Sequence, residues 1–387
     1  MAVLEVGHPS RRALSRAPEF RISFVHDWKL AAACWAGGGR GTVFQNSRWL
    51  EAWYAAFADA LPLIAIITDA ATDVQVALVP LIRRVRRGVR IVEFADLNVT
   101  DYNAPILGPG VSLRPAQMQA LCRALLRAIR KVPGGVDLVR LQKMPADIEG
   151  IPNPLARLGN AGSCSLNGNL IVTCDNFETY RASIRRMQLP RSWRVFNRNP
   201  GATFRMIERV DEALQILDVM DAQQEGRMRK LGQPFVLNDK NHAKFYRDLV
   251  ASSLEVGYAV LSVLSCDAGI VATAFGIRHG DDFVFLRISN AGIQWANCSP
   301  SRLILERTMA ALHEQGVRRF DLSIGNYAFK RRFGAVRLPL IDASIALDWR
   351  GIPHALRDYV ARYLRRHGWL QETIRRAIGN PSIGEAR

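Results

Sequence analysis

One order of hydrophobic periodicities occurs twice along the chain, and this constrains its fold more than any other feature. In the first half, Trp49, Leu50, Trp53, Tyr54 and Phe57 recur at helical spacing over residues 46–57, with Asn46 or Ser47 placed to cap the start. A short strand at 21–25 precedes this helix. Apolar runs at 63–68, 74–81 and 89–94 follow it, the first two divided by a turn at 69–73. Residues 113–131 read as a helix closed by Pro133-Gly134-Gly135, and 137–141 as a further strand. A Pro-, Gly- and Asn-rich stretch at 145–162 reads as loop, and 170–174 as a short strand.

The order then recurs. A strand is expected at 203–207, helices at 210–224 and 242–255, and a hairpin of 258–264 and 270–277 turned by Cys266-Asp267-Ala268-Gly269. A strand at 283–288, a helix at 301–315 stopped by Gly316, and strands at 319–322 and 338–347 complete the second half. The expected fold class is α+β, with two lobes of about 150 residues, each a mostly antiparallel sheet flanked by helices. The expected organisation is a disordered lead at 1–20, an N-terminal lobe at 21–175, a basic connecting segment at 176–200, a C-terminal lobe at 201–350 and a helical tail at 351–387.

No apolar run is long enough for a membrane-spanning helix, and Met1 to Pro18 lacks the pattern of a secretory signal. The six cysteines are scattered, without a CxxC pair or a His/Cys cluster at zinc-ligand spacing. This predicts no metal site and a reducing, cytoplasmic location. The net charge of +17 favours a polyanionic partner: a phosphorylated cofactor, nucleic acid or an anionic membrane face.

Three segments carry candidate chemistry. Residues 181–205 hold seven arginines and no acidic residue, with Trp193 and Phe196 among them, which reads as a cationic rib beside an inter-lobe cleft. Ser299 and Pro300 read as N-cap and first residue of a helix, a ready anion site. The run from Asp321 through Gly325 and Tyr327 to Lys330 and Phe333 reads as a strand ending in a tyrosine and a lysine, where open α/β folds place their chemistry. The tail from 354 to 378 interleaves Leu356, Tyr359, Val360, Tyr363, Leu364, Trp369, Leu370 and Ile374 with arginines. Packing of that apolar stripe onto the C-terminal lobe is expected, with the inner face of a membrane as the alternative.

Taken in order, these pieces resemble the tandem-GNAT acetyltransferases associated with cellulose and exopolysaccharide biosynthesis (CelD/BcsL type). The resemblance rests on Phe44-Gln-Asn-Ser-Arg-Trp49-Leu-Glu-Ala-Trp53, Val79-Pro80-Leu81, Asp101-Tyr102, the 181–205 arginines, Ser299-Pro300-Ser301-Arg-Leu-Ile-Leu305 and the 321–333 run. It spans about residues 40–350. One departure is that Ser301 stands where family members usually carry glycine. The resemblance implies two acyl-CoA N-acyltransferase lobes and transfer of an acyl group, acetyl above others, from acyl-CoA to an amine or hydroxyl of a small molecule or envelope-polysaccharide precursor.

Under that resemblance the expected catalytic residues are Tyr327 as acid, Lys330 as anion stabiliser and Asp321 as base or orienting group. Ser299, Ser301, Arg302 and Arg331 are expected on the phosphate side, and Phe285 and Arg287 on a strand that carries the pantetheine. Asp101, Tyr102 and Arg227 are expected to meet the acceptor. The competing expectations are a Fem-type transferase drawing on aminoacyl-tRNA, for which the positive charge is suited, and an inactive lobe pair that binds or scaffolds polysaccharide machinery.

Overall fold

The computed structural model describes residues 19–35 and 38–366, so the first 18 residues and the tail beyond 366 lie outside the described residues. Among the described residues an eleven-stranded sheet runs through both lobes. Its order is Thr203–Ile207, Ala259–Cys266, Gly269–His279, Asp282–Asn290, Arg319–Asp321, Ala161–Val172, Val336–Ala346, Leu138–Pro145, Val89–Phe94, Leu81–Arg86 and Leu61–Pro62. A separate four-stranded sheet joins Phe20–Val25, Ile64–Asp69, Gln75–Val79 and Ile106–Leu107.

The duplication is visible in the strand polarity. The large sheet is antiparallel apart from two pairs, Asp282–Val284 with Arg319–Asp321 and Ile91–Glu93 with Leu138–Arg140. Parallel neighbours need a crossover connection. Here each is a helix entered through a proline, Pro300–Glu314 in one lobe and Pro115–Arg130 in the other. Proline suits a first turn because the amide it lacks would be unpaired there.

The lobes exchange strands. Ala161–Val172 pairs with Arg319–Asp321 on one side and Val336–Ala346 on the other, and Val336–Ala346 continues the sheet onto Leu138–Pro145. The sequence suggested only a short strand at 170–174, because Ser163-Cys-Ser-Leu-Asn-Gly168 has loop composition. These residues nevertheless pair across the lobe junction, with a register irregularity between Ser163 and Asn167. Tertiary pairing overrides weak local propensity here.

The helix Ser47–Ala56 packs on Lys240–Ser253 of the other half. The ring of Trp49 meets Phe245 edge-on at 4.8 Å between centroids. The Trp49 indole donates to Thr100 Oγ1 at 3.1 Å, and that of Trp53 to the Asp96 carbonyl at 3.2 Å. Both tryptophans are fully buried in an apolar cluster drawn from both lobes. Trp49→Ala is expected to cost about 3–5 kcal/mol. Urea unfolding followed by far-UV circular dichroism and by fluorescence should then give one coincident transition shifted to lower denaturant, because the two lobes share this core.

The basic connecting segment is part of the second lobe. Phe177–Ser183 and Leu189–Phe196 are helices whose Phe177, Tyr180 and Phe196 enter the same apolar cluster as Leu303, Met309 and Phe320. Two of the seven arginines have carboxylate partners from elsewhere in the chain, and the segment lies away from the inter-lobe cleft, which corrects the expectation of a cationic rib beside it. Arg181 bonds Glu306 at 2.6 Å, Arg205 bonds Glu212 at 2.7 Å, and the Arg307 guanidinium lies 4.0 Å over Trp193. The Glu306 and Arg307 contacts lie on the Pro300–Glu314 helix, the Glu212 contact on the helix Val210–Lys230, and no residue of 181–205 lines the cavity between the lobes.

The helix Ile352–Arg366 covers the sheet through Ala355, Asp358 and Arg362. Asp358 accepts from Arg140 at 2.9 Å and Ser344 at 2.8 Å. Of the stripe expected to pack, Leu356, Tyr359 and Val360 stay exposed and Leu364 is half-buried, while Trp369, Leu370 and Ile374 lie outside the described residues. The polar groups on the sheet face, Arg140 and Ser344, take the charged side of the helix instead.

Candidate active site

The site begins where two strands part. Asp282–Val284 pairs with Arg319–Asp321 for three residues, after which one strand runs on to Asn290 while the other ends. At the same level the long strand slips register against its other neighbour. Phe275 faces Arg287 and Gly276 faces Phe285, which leaves Leu286 as the extra residue of a bulge. A bulge bends a strand and adds twist. Gly276 permits the close approach, since a Cβ there would lie 2.4 Å from the Val284 carbonyl oxygen.

At the end of the short strand the two lobes meet through buried polar groups. The Tyr102 hydroxyl donates to Asp321 Oδ2 at 2.6 Å, and the Ser323 amide donates to Asp321 Oδ1 at 2.6 Å. The Ser323 hydroxyl donates to Asp101. Asn169 Nδ2, from the exchanged strand, donates to the carbonyls of Ser323 at 2.8 Å and Gly325 at 2.9 Å. Lys330 Nζ donates to the carbonyls of Ser323 at 3.1 Å and Ile324 at 2.6 Å. Gly325 holds a φ of +111°, and a Cβ there would meet the Tyr327 ring at 3.0 Å, so this turn requires glycine.

Burial sets the titration of this group. It pushes the Asp321 carboxyl up to about 6, against the opposing pull of the Tyr102 and Ser323 hydrogen bonds. It pulls the Lys330 ammonium down to about 8, with Asp101 and Asp321 pulling the other way. Asp101 is raised by burial, opposed by Lys143 and the Ser323 hydroxyl. The Tyr102 phenol is held well above its ordinary value by burial and then by the Asp321 charge. Asp321 is therefore ionised near neutral pH while remaining basic enough to accept a proton.

Two cavities adjoin this strand. One, about 640 Å³, lies between the lobes, with Asp321 and Tyr102 in its wall, Val43, Leu170 and Val284 among its apolar residues, and Asp147 and Glu149 exposed at its rim. Its only arginine, Arg319, is paired with Asp282 at 2.6 Å. The other, about 630 Å³, lies at the Asn290 end, beside the start of the Pro300–Glu314 helix. It is lined by Arg227, Lys230 and Arg302 and by no carboxylate. Six residues separate Val284 from Asn290, or roughly 20 Å of extended strand.

The structure thus brings Asp101, Tyr102, Asp321 and Lys330 together, and gathers Ser299, Ser301, Arg302 and Arg227 at the far cavity. Arg227 lies on the phosphate side rather than with the acceptor residues. Ser299 occupies the N-cap position with a left-handed φ of +49° and makes no side-chain cap. Its hydroxyl accepts instead from Arg302 at 3.3 Å. Ser301 Oγ accepts from Asn290 at 2.8 Å, so its hydroxyl is tied to the end of the strand.

Other expected residues have different surroundings. Phe285 is buried in the core of the second lobe. Arg287 is buried too, bonded to Asp221 and Gln224 and lying 4.8 Å over the Tyr246 ring. Tyr327 is 65% exposed, stacks beside Phe329 and lines neither cavity, and Arg331 is exposed. Lys330 is buried and holds the 323–325 loop. Sequence reading missed Ser323, Asn169 and the rim carboxylates Asp147 and Glu149. Only Ser323 carried a signal, through its place in the 321–333 run. Among the described residues no cluster of His, Cys, Asp and Glu could hold a metal ion, and no helix is long and apolar enough to cross a membrane.

The parted strands, the bulge and the cationic helix start all fall within one stretch of the chain. Residues 183–331 match the acetyltransferase (GNAT) domain family. No curated protein matches the chain by sequence. Among solved structures, FemX aligns with a TM-score of 0.57 at 10% identity, covering 85% of this chain and 98% of that one. The C-terminal domain of a putative lysylphosphatidylglycerol synthetase from Agrobacterium fabrum aligns at 0.48 and 13% identity, covering 80% and 90%. A tandem GNAT protein from the clavulanic acid biosynthesis pathway aligns at 0.44 and 10% identity, covering 85% and 98%. The GNAT match lies mainly on the second lobe, and the FemX alignment shows a likeness of fold that spans both lobes.

Proposed function

We propose that the protein is an acyl-CoA-dependent N-acyltransferase, with the donor's phosphates beside Arg227, Lys230 and Arg302 and the acceptor amine in the cavity between the lobes. The observation that carries this reading is the opposite charge of the two cavities. The far cavity has three cations and no carboxylate, which suits a polyphosphate. The inter-lobe cavity has Asp147, Glu149 and Asp321, which suit an ammonium group. An anionic acceptor would be repelled by those carboxylates, whereas a cationic one is attracted.

The GNAT family generally uses acyl-CoA, and the bound donor supplies a thioester carbonyl as electrophile. This chain's residues do the rest. Asp321 accepts a proton from the incoming ammonium, and the neutral nitrogen then forms its bond to the acyl carbon as the carbon–sulfur bond breaks. The proton shed by the new amide nitrogen balances the departing thiolate. Tyr102 fixes the orientation of the Asp321 carboxylate, and Lys330 and Asn169 fix the loop that presents the Ser323 amide to it. The exposure of Tyr327 disfavours it as the thiolate's acid. The finer kinship to the CelD/BcsL-type acetyltransferases belongs to the same proposal and would place the amine on an envelope-saccharide precursor.

Calorimetric titration with acetyl-CoA and longer acyl-CoAs, followed by thiol-release assays with glucosamine, amino acids and alkylamines, tests the reading. Donor binding with amine-dependent thiol release is expected; failure of every acyl-CoA to bind removes the donor assignment. RNA retained through purification, read at 260 nm, would favour the Fem-type alternative. Tyr102→Phe keeps the ring, which packs edge-on to Phe44 at 5.7 Å, but removes the bond to Asp321. It is expected to lower kcat by about 10- to 100-fold, less than loss of a general base, with the Kd for acetyl-CoA unchanged.

A further inference from the structure

The C-terminal helix presents an exposed apolar face. Ile352, Leu356, Tyr359, Val360 and Tyr363 are between 44% and 58% exposed, and Trp349, just before the helix, is 69% exposed. At one residue per 100° these side chains share an arc of roughly 100°, a single stripe. Contiguous exposed apolar surface of this kind marks an interaction site. The stripe is not misplaced core, because the opposite side of the helix is anchored. Asp358 bonds Arg140 and Ser344, Arg362 donates to the Asn160 carbonyl at 3.2 Å, and Ala355 packs on Val89, Ile91 and Leu138.

The surroundings of the stripe are basic. Arg350 lies 5.3 Å over the Trp349 ring, and Arg357 is exposed on the helix. Arg86 is exposed opposite Val89 on the neighbouring strand, and cross-strand partners share a face, so it belongs to the surface this helix rests on. The one acidic residue of the helix, Asp358, bonds Arg140 on the sheet and shares its other oxygen with the exposed Arg357 at 2.9 Å. The sequence beyond 366 carries Trp369, Leu370 and Ile374 with Glu372, Arg375 and Arg376.

We propose that this helix docks the protein on an anionic membrane surface, with the stripe from Trp349 to Tyr363 entering the headgroup layer and Arg86, Arg350 and Arg357 meeting lipid phosphates. An apolar stripe with tryptophan and tyrosine, bordered by arginine, is the composition that lies in a membrane interface. A second copy of this chain fits less well, since it would bring the same arginines face to face in a protein of net charge +17.

The test is flotation of the full chain with vesicles of phosphatidylcholine alone or containing about 30% phosphatidylglycerol, an anionic content within the range of cytoplasmic leaflets. The expected result is recovery at least about tenfold greater with the anionic vesicles, lost in Leu356→Glu/Tyr359→Glu and weakened by added salt. Both substituted side chains are exposed, so an unchanged melting temperature shows that the fold is intact. Arg350→Glu/Arg357→Glu should remove the preference for anionic lipid. Equal recovery on both vesicle types, no recovery, or equal flotation of wild type and the Leu356/Tyr359 variant overturns the proposal. So does a concentration-dependent dimer in light scattering that the same variant abolishes.

Discussion

Asp321→Asn is expected to lower kcat by about 10²- to 10⁴-fold, the range for loss of a positioned general base. The Kd for acetyl-CoA should stay within about twofold, because the phosphate-side cations are a strand's length away, roughly 20 Å. The asparagine keeps the shape and can still accept from Tyr102 and the Ser323 amide, so the fold should survive. The pH profile gives the sharper reading. The Asp321 carboxyl is pushed up to about 6 by burial, so the wild-type rate should fall on the acid side as pH drops through about 6, where the base becomes protonated. In Asp321→Asn the residual rate should lack that limb. A variant with wild-type kcat, or one that keeps the acid limb, would show that another group takes the proton.

The second large effect is expected at the other end of the strand. Arg227→Ala/Arg302→Ala removes two of the three cations from a cavity without a compensating carboxylate. A charge-assisted hydrogen bond contributes about 1.5–3 kcal/mol. Two such bonds to donor phosphates correspond to a rise of about 10²- to 10⁴-fold in the Kd for acyl-CoA, since about 1.4 kcal/mol is tenfold. An acyl-pantetheine thioester without the nucleotide phosphates should bind wild type and variant alike. That comparison separates lost phosphate recognition from a general collapse of the cavity. Equal weakening for both donors would place the phosphates elsewhere.

Much of the site was readable one residue at a time. The 321–333 run held Asp321 and Lys330, and Tyr102, singled out from the first half, bonds Asp321 at 2.6 Å. Arg302 and the Pro300 helix start were legible from helix-entry chemistry. What could not be read is how shared contacts change a residue's task. Lys330 looked like a free cation in a basic turn, yet it is buried and bound to two backbone carbonyls. Arg287 looked available to a ligand, yet it is held by Asp221 and Gln224 on a helix more than sixty positions away. Arg181 and Arg205 looked uncompensated because their partners, Glu306 and Glu212, lie outside the window.

By itself the sequence determined the twofold order of helices and strands, the prolines that open each crossover helix, the buried aromatics of residues 46–57 and the excess of positive charge. These depend on local periodicity, backbone chemistry and composition, all of which act over a few residues. The tertiary structure alone decided that Ala161–Val172 crosses between lobes, that the carboxylates of Asp147, Glu149 and Asp321 surround one cavity, and that the C-terminal helix turns its charged side inward. Each depends on groups distant in the chain meeting under burial, where pairing and desolvation rather than local propensity set the outcome.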